Sequence, residues 1–234
     1  MNILWVGAHP DDMEFFVAGT LGKYIRQGHK VSICVAARGD KGSHTLSPNE
    51  IAKIREEETV EGAKLLGAEF LGILGYPDCE VYFDRDLVGK MVDVIRKAKP
   101  NVIITHYDKD YMPDHNAVSQ ATVAAAFHAG LTNFETQRPP HKPAKVYYSD
   151  TLYGLDFDPD FWVDITDTFE LKMRALRAHK SQVEDFMPGH FLASPEEAAQ
   201  IWSRFRGLQV GVKYAEAFKL VKRHMRLTSI NLPE

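Results

Sequence analysis

Several things are scarce in this chain, and each scarcity removes a class of function. Cysteine occurs only as Cys34 and Cys79 in 234 residues. Neither belongs to a C-x-x-C pair, which speaks against a thiolate zinc site or a disulfide scaffold. Cys34 lies in the apolar run VSICVAA and reads as a core residue, whereas Cys79 falls in a loop. So little cysteine makes a reducing cytoplasm the expected setting. No apolar run approaches the roughly 20 residues that a membrane span needs. The opening MNILWVGAHPDD has no basic n-region and no small-residue cleavage site, so no signal peptide is expected. Lys and Arg (28) are outnumbered by Asp and Glu (32), which is not the basic footprint of a nucleic-acid binder. No G-x-G-x-x-G follows the first apolar run, and the acids that stand there would repel a phosphate. Internal repeats and low-complexity tracts are also lacking.

What is present is an ordinary globular composition, 44% apolar and 26% charged, with a clear alternation of periods. Residues 2–7 (NILWVG) and 30–37 (KVSICVAA) read as buried strands. Between them Phe15, Phe16, Leu21, Tyr24 and Ile25 are spaced for a helix over residues 14–27, stopped before Gly28. A helix from Pro48 to Leu66 has Ser47 as its N-cap and Gly67 as its stop. Strands at about 69–74 and 101–105 flank a helix over about 86–98. A helix over about 115–129 follows, then a strand over 145–149. Past residue 150 the pattern weakens to one or two strands, a helix from about 168 and another over about 195–205. The alternation predicts an α/β fold, a Rossmann-like three-layer sandwich with a mostly parallel sheet. The chain reads as a single domain, 1–234, with residues 1–150 as its core. Residues 151–234 form a smaller C-terminal lobe of strands and helices packed on that core.

Ligands of open parallel sheets bind beyond the carboxyl ends of the strands. Three polar clusters fall there: AHPDDME, RGDKGSH and THYDKDYMPDH. The first and third hold the nitrogen and oxygen donors that zinc uses. Asp11 and Asp12 are adjacent carboxylates that repel each other, a cost that a dication removes. One of the two can bind the metal while the other faces a metal-activated water as general base. The plain alternative is that one of them caps the helix that begins near residue 13. His115, at a helix start beside the sheet edge, pairs with His9 as a ligand candidate. His106 and Asp114 are candidates to orient the ligands. Arg55 either points into the same mouth or pairs on the helix surface with Glu58 or Glu61. Glu56, Glu57 and Glu58 read as a solvated face, Glu14 as outside the metal's ligand set, and His141 and His190 as solvated or structurally bonded. HTLSPNE, the 76–85 loop and residues 184–195 are expected to shape a specificity pocket.

With these residues in view, AHPDDME followed about a hundred residues later by PDH resembles the LmbE-like, or GlcNAc-phosphatidylinositol de-N-acetylase (PIG-L), family. Its members include zinc-dependent deacetylases of N-acetylglucosaminyl compounds, among them those of the mycothiol and bacillithiol pathways. The likeness extends to LGYPD, PPH, YGLDFDPDFWVDIT and GVKYAEAF, and so covers most of the chain. It implies His9, Asp12 and His115 as ligands of one zinc ion, or of another divalent metal, with water in the fourth position. It implies Asp11 as general base, Arg55 as a substrate-binding residue and Asp114 as a supporting residue. The reaction implied is hydrolysis of an N-acetyl group on an N-acetylglucosamine-type conjugate, releasing acetate. The partner is a small amino-sugar substrate, and a homotrimer or hexamer is the assembly the family implies. One position departs from the pattern. The second motif commonly reads H-P-D-H, and here its first position is Met112, which can neither donate a proton nor carry charge. Asp11 acting as both base and acid, His106, a C-terminal histidine, or the Tyr111 hydroxyl are the available replacements. The alternatives to the deacetylase are a silent metal- or sugar-binding relative, or a metal-dependent hydrolase of another N-acyl amide.

Overall fold

A computed structural model of the protein describes residues 1–142, 145–188 and 193–222. Among them, five parallel strands form the body of one sheet: β1 (Asn2–Gly7), β2 (Lys30–Ala37), β3 (Glu69–Tyr76), β4 (Val102–Thr105) and β5 (Lys145–Ser149). Two further strands, β6 (Phe161–Asp164) and β7 (Ala215–Leu220), extend it antiparallel beyond β5, giving the order β3-β2-β1-β4-β5-β7-β6. The central strands are apolar on both faces because helices cover both. Leu4 and Val6 of β1 pack with Ile103 and Val146 on one side. Ile3 and Trp5 pack with Ile33, Ile104 and Tyr147 on the other. This period-two division is what a parallel sheet buried on both faces requires.

The helices are α1 (Asp12–Phe16), α2 (Ala18–Arg26), α3 (Pro48–Leu66), α4 (Arg85–Ala98), α5 (Pro113–His128), α6 (Phe169–Leu176) and α7 (Pro195–Val210). α3 starts and stops on local chemistry. Glu50 reaches back to the Ser47 N–H at 2.9 Å, and Gly67 closes the helix at φ +84°. The helix expected over 14–27 is instead two, meeting at Val17 with φ −142°. The reason is tertiary. The Glu216 carboxylate of β7 accepts from the Gly19 and Thr20 N–H groups at 3.1 and 2.7 Å. Lys172 holds the same carboxylate at 2.8 Å, so α2 begins on an acceptor that lies 197 residues away. α5 begins at Pro113, two residues before the expected start, which brings Asp114 and His115 into its first turn.

The C-terminal segment contributes β6 and β7 to the same sheet, and β7 was not among the expected strands. No helix among the described residues is long and apolar enough to cross a membrane. β1 lies between β2 and β4, so the connections leaving it and its neighbour run to opposite sides. The crevice that this opens at the carboxyl ends is where such sheets bind ligands.

Candidate active site

The turn after β1 is organised by one carboxylate. Asp12 is the first residue of α1, and its Oδ2 accepts from the backbone N–H of His9 at 2.6 Å and of Ala8 at 3.1 Å. The other oxygen, Oδ1, lies 3.3 Å from His115 Nε2. Beneath it His106 is completely buried, 3.1 Å from Asp12 Oδ2, and its Nε2 accepts from the Ala8 N–H at 2.9 Å. The His106 ring stacks on that of His115, with centroids 3.9 Å apart. Burial and the neighbouring His115 push the His106 pKa down to about 4, despite Asp12, so its imidazole is neutral.

Each of the two outer histidines has one nitrogen turned to a carboxylate. His9 Nε2 lies 3.1 Å from Asp114 Oδ2, and His115 Nδ1 lies 3.2 Å from Asp110 Oδ2. Asp114 is itself fixed by the Cys79 N–H at 2.7 Å, and Asp110 by the Met112 N–H at 2.9 Å. The remaining nitrogens, His9 Nδ1 and His115 Nε2, face each other at 3.3 Å. Two lone pairs cannot share that gap without a proton or a cation between them. Burial works to lower both histidines, but Asp12 and the orienting carboxylates prevail and raise His9 to about 10 and His115 to about 9. The donor set fits a metal equally well. Two nitrogens about 2.05 Å from one tetrahedral zinc lie about 3.3 Å apart. His9, Asp12 and His115 each bring one ligand atom within 4.8 Å of the others, all three buried. The carboxylates behind the histidines are the orienting partners that metal-binding imidazoles usually have.

Asp11 makes no helix-capping hydrogen bond. Its Oδ1 instead accepts from Arg55 Nη2 at 2.7 Å, and both side chains are about 95% buried. Arg55 is therefore no surface residue paired with Glu58 or Glu61. Its Nη1 donates to the Gly39 carbonyl at 3.3 Å and lies 3.7 Å from Asp78. Asp78 accepts from the Gly39 and Lys41 N–H groups, which ties the loop after β3 to the loop after β2. Gly39 (φ +74°) is needed there twice over, because a Cβ would lie 2.7 Å from the Arg55 side chain.

These groups open into a cavity of about 290 Å³ lined by His9, Asp11, Asp12, Arg55 and His115. Tyr111, Met112, Lys41 and Gln182 also line it, whereas the buried His106 does not. Glu14 lies away from the candidate ligands, fully buried 3.2 Å from the equally buried His179. Glu58 is half-buried and accepts from the Ser181 N–H and hydroxyl at 2.7 and 2.6 Å, so it leaves the solvated face expected for it. His141 bonds the Pro100 carbonyl at 2.9 Å. His190 lies outside the described residues.

Sequence reading missed Asp110 and Asp78. Asp110 is one of three acids in THYDKDYMPDH, and nothing local separates it from Asp108. It is set apart by Asn116, whose side chain brackets the Asp110 backbone at 2.8 and 2.7 Å. Asp78 sits in LGYPD, a stretch noted for its likeness to a family motif and as the start of the 76–85 loop expected at the pocket, with no role assigned to Asp78 itself.

Comparison with known proteins bears on the family and the fold. The sequence profile described as GlcNAc-PI de-N-acetylase (PIG-L) matches residues 4–126. The diacetylchitobiose deacetylase of Thermococcus kodakarensis is 28% identical over 94% of this chain and 83% of its own length. The solved structure of the conserved protein TT1542 from Thermus thermophilus superposes with a TM-score of 0.82 at 30% identity, covering 94% of both chains. The 4-oxalmesaconate hydratase of Pseudomonas putida is also similar, at 24% identity over 77% of this chain and 74% of its own. On the match of its motif-bearing half and the agreement of its fold, the chain belongs to the GlcNAc-PI de-N-acetylase (PIG-L) family.

Proposed function

We propose that the protein is a zinc-dependent hydrolase that removes the N-acetyl group of an N-acetylglucosamine-type conjugate and releases acetate. The observation that carries this reading is the convergence of His9 Nδ1, Asp12 and His115 Nε2 beside an Asp11 held by Arg55. A zinc ion held by these three side chains supplies a Lewis acid for the acetyl carbonyl and lowers the pKa of a water toward about 7. Asp11 takes the proton of the attacking water as general base. The same carboxyl then gives that proton to the departing amine nitrogen, so one group serves as base and acid. His106 is buried behind Asp12, and in this reading it supports the turn that carries Asp12, through the bond it accepts from the Ala8 N–H and its stack on His115. Asp114 and Asp110 hold His9 and His115 in the tautomers that leave their inner nitrogens free.

A hydratase reading has a relative behind it and a feature of the cavity against it. An organic-acid substrate needs cations for its carboxylates. Arg55 and Lys41, the Arg and Lys among the described lining residues, are already engaged with Asp11, Asp78 and Glu80.

The test is metal analysis combined with an acetate-release screen over N-acetylglucosamine derivatives, in wild type and Asp11→Asn. The expected result is about one zinc per chain in both proteins, with acetate released by wild type alone. Full activity in Asp11→Asn would remove the base. Bound zinc with no amide cleaved, together with water added to an unsaturated organic acid, would replace the hydrolase by a hydratase.

A further inference from the structure

The cavity is divided by polarity. Its charged lining is already internally matched: Asp11 with Arg55, Asp78 with the Gly39 and Lys41 N–H groups, Asp12 with its own turn. The Gln182 amide donates to the Gly42 carbonyl at 2.9 Å, and Lys41 donates to the Asp78 carbonyl and Glu80. Much of the remaining lining is hydrocarbon and thioether: Phe15, Leu152, Phe186, Met187 and Pro195, with Met112 one helical turn before His115. Met112 is thus more than a lost histidine, since it carries the apolar wall up to the ligand set.

That wall is built rather than incidental. The Phe186 ring packs at 4.9 Å against His44, and the Met187 N–H bonds the Gln182 carbonyl at 2.8 Å. Through Gln182 and Gly42 the segment is tied to the loop that surrounds Arg55. The hydroxyls of an unsubstituted sugar would lose water against such a wall and gain few partners. An alkyl or aryl group would gain from the same contact.

We infer that the substrate carries an apolar substituent beside its scissile amide, and that Phe15, Met112, Leu152, Phe186 and Met187 form the subsite that receives it. The inference rests on the amide-hydrolase part of the proposed reading and names its substrate class; an N-acyl source would replace acetyl as the group removed. The substituent is either a longer N-acyl chain or an apolar aglycone, and the two sources are separated by experiment.

The test is calorimetric binding to zinc-loaded Asp11→Asn with two series of ligands. One series is the methyl, butyl and hexyl glycosides of N-acetylglucosamine. The other is N-acetyl-, N-butanoyl- and N-hexanoylglucosamine. Full burial is worth about fourfold in affinity per methylene. Tightening by tenfold or more across one series is expected, and the steeper series identifies the source. That dependence should shrink when Phe186→Ala or Leu152→Ala is added. Less than tenfold across both series, or a dependence that neither substitution changes, overturns the subsite. Release of the free acid by wild type, acetate from the glycosides and the matching acid from the N-acyl series, keeps the two readings apart. Release without any chain-length dependence overturns the subsite alone. Chain-length-dependent binding with no amide cleaved overturns the hydrolase alone.

Discussion

Arg55 donates from Nη2 to Asp11 Oδ1 at 2.7 Å, and the pair is buried beside the candidate ligands His9, Asp12 and His115. The resemblance to the family implies a substrate-binding arginine, whereas this contact gives the guanidinium a second task, fixing the carboxylate proposed as general base. The two tasks separate in kinetics. If Arg55 positions Asp11, Arg55→Met lowers kcat by about a hundredfold, the lower range of general-base catalysis, with little change in KM. Arg55→Lys keeps the charge but loses the fork that also reaches Gly39, and costs about tenfold. Steady-state kinetics with zinc content measured alongside decide it. A rise in KM at constant kcat would return Arg55 to substrate binding.

The carboxylates behind the histidines predict a graded loss of metal. His9→Ala and His115→Ala each remove a donor from the converging set and should abolish stoichiometric zinc. Asp110→Asn leaves the donors in place but loosens the His115 ring, so zinc affinity falls by about 10- to 100-fold. Asp114→Asn should do the same through His9, with an added effect on the 79–81 loop that its two oxygens hold. Competitive titration against a chelator measures both. Unchanged affinity in Asp110→Asn would mean that His115 needs no orienting partner.

The reach of sequence reading followed the range of the forces involved. β1, β2 and α3 were legible because their signals are local: buried β-branched runs, a Ser-Pro helix start, a glycine stop. The residues alone marked two His/Asp clusters at strand ends and left open which of Asp11 and Asp12 binds. The set His9, Asp12 and His115 came from the resemblance, and the structure brings the three together because β1 and β4 are neighbours. The break at Val17 was not legible, because the apolar period runs straight through it and the acceptor that starts α2 is Glu216. β7 escaped for the same reason. Its sequence AEAFKL has weak strand propensity, and it is a strand because β5 and β6 pair with it on both sides. Glu58 looked solvated on α3 until Ser181 came to it from the far end of the chain.

Met112 predicts a trade between chemistry and specificity. If Asp11 serves as both base and acid, restoring histidine with Met112→His changes turnover of a short N-acetyl substrate by less than about tenfold, below the usual worth of a general acid. The same substitution places a polar ring in the apolar wall and should raise KM for long-chain substrates. Parallel kinetics on the methyl and hexyl glycosides check both parts. A rise in turnover of a hundredfold or more would show that the proton-donor position had been vacant.

Farther along the sheet edge, Asp150 and Arg206 make a buried bidentate pair that fastens α7 to the end of β5. Arg206 donates to the two carboxylate oxygens at 2.5 and 2.9 Å, and Trp202 Nε1 adds a third bond at 3.1 Å. Burial pushes the Asp150 pKa up, with Arg206 and the Thr151 N–H opposing it. Arg206→Leu leaves that carboxylate buried and without its main partner, which should cost about 3–5 kcal/mol in denaturant unfolding at neutral pH. The pH dependence has a definite sign. A carboxyl whose folded pKa is raised above its unfolded value destabilises the fold when ionised, and the penalty fades as protons are added. Removing Arg206 takes away a group that opposes the upward shift. The deficit of Arg206→Leu relative to wild type should therefore narrow as pH falls from 7 toward about 5. Asp150→Asn combined with Arg206→Leu removes the charge as well, and should be less destabilised than Arg206→Leu alone at pH 7. A deficit that stays constant over this pH range would assign the loss to packing against Trp202 and Phe157 instead of to the stranded charge.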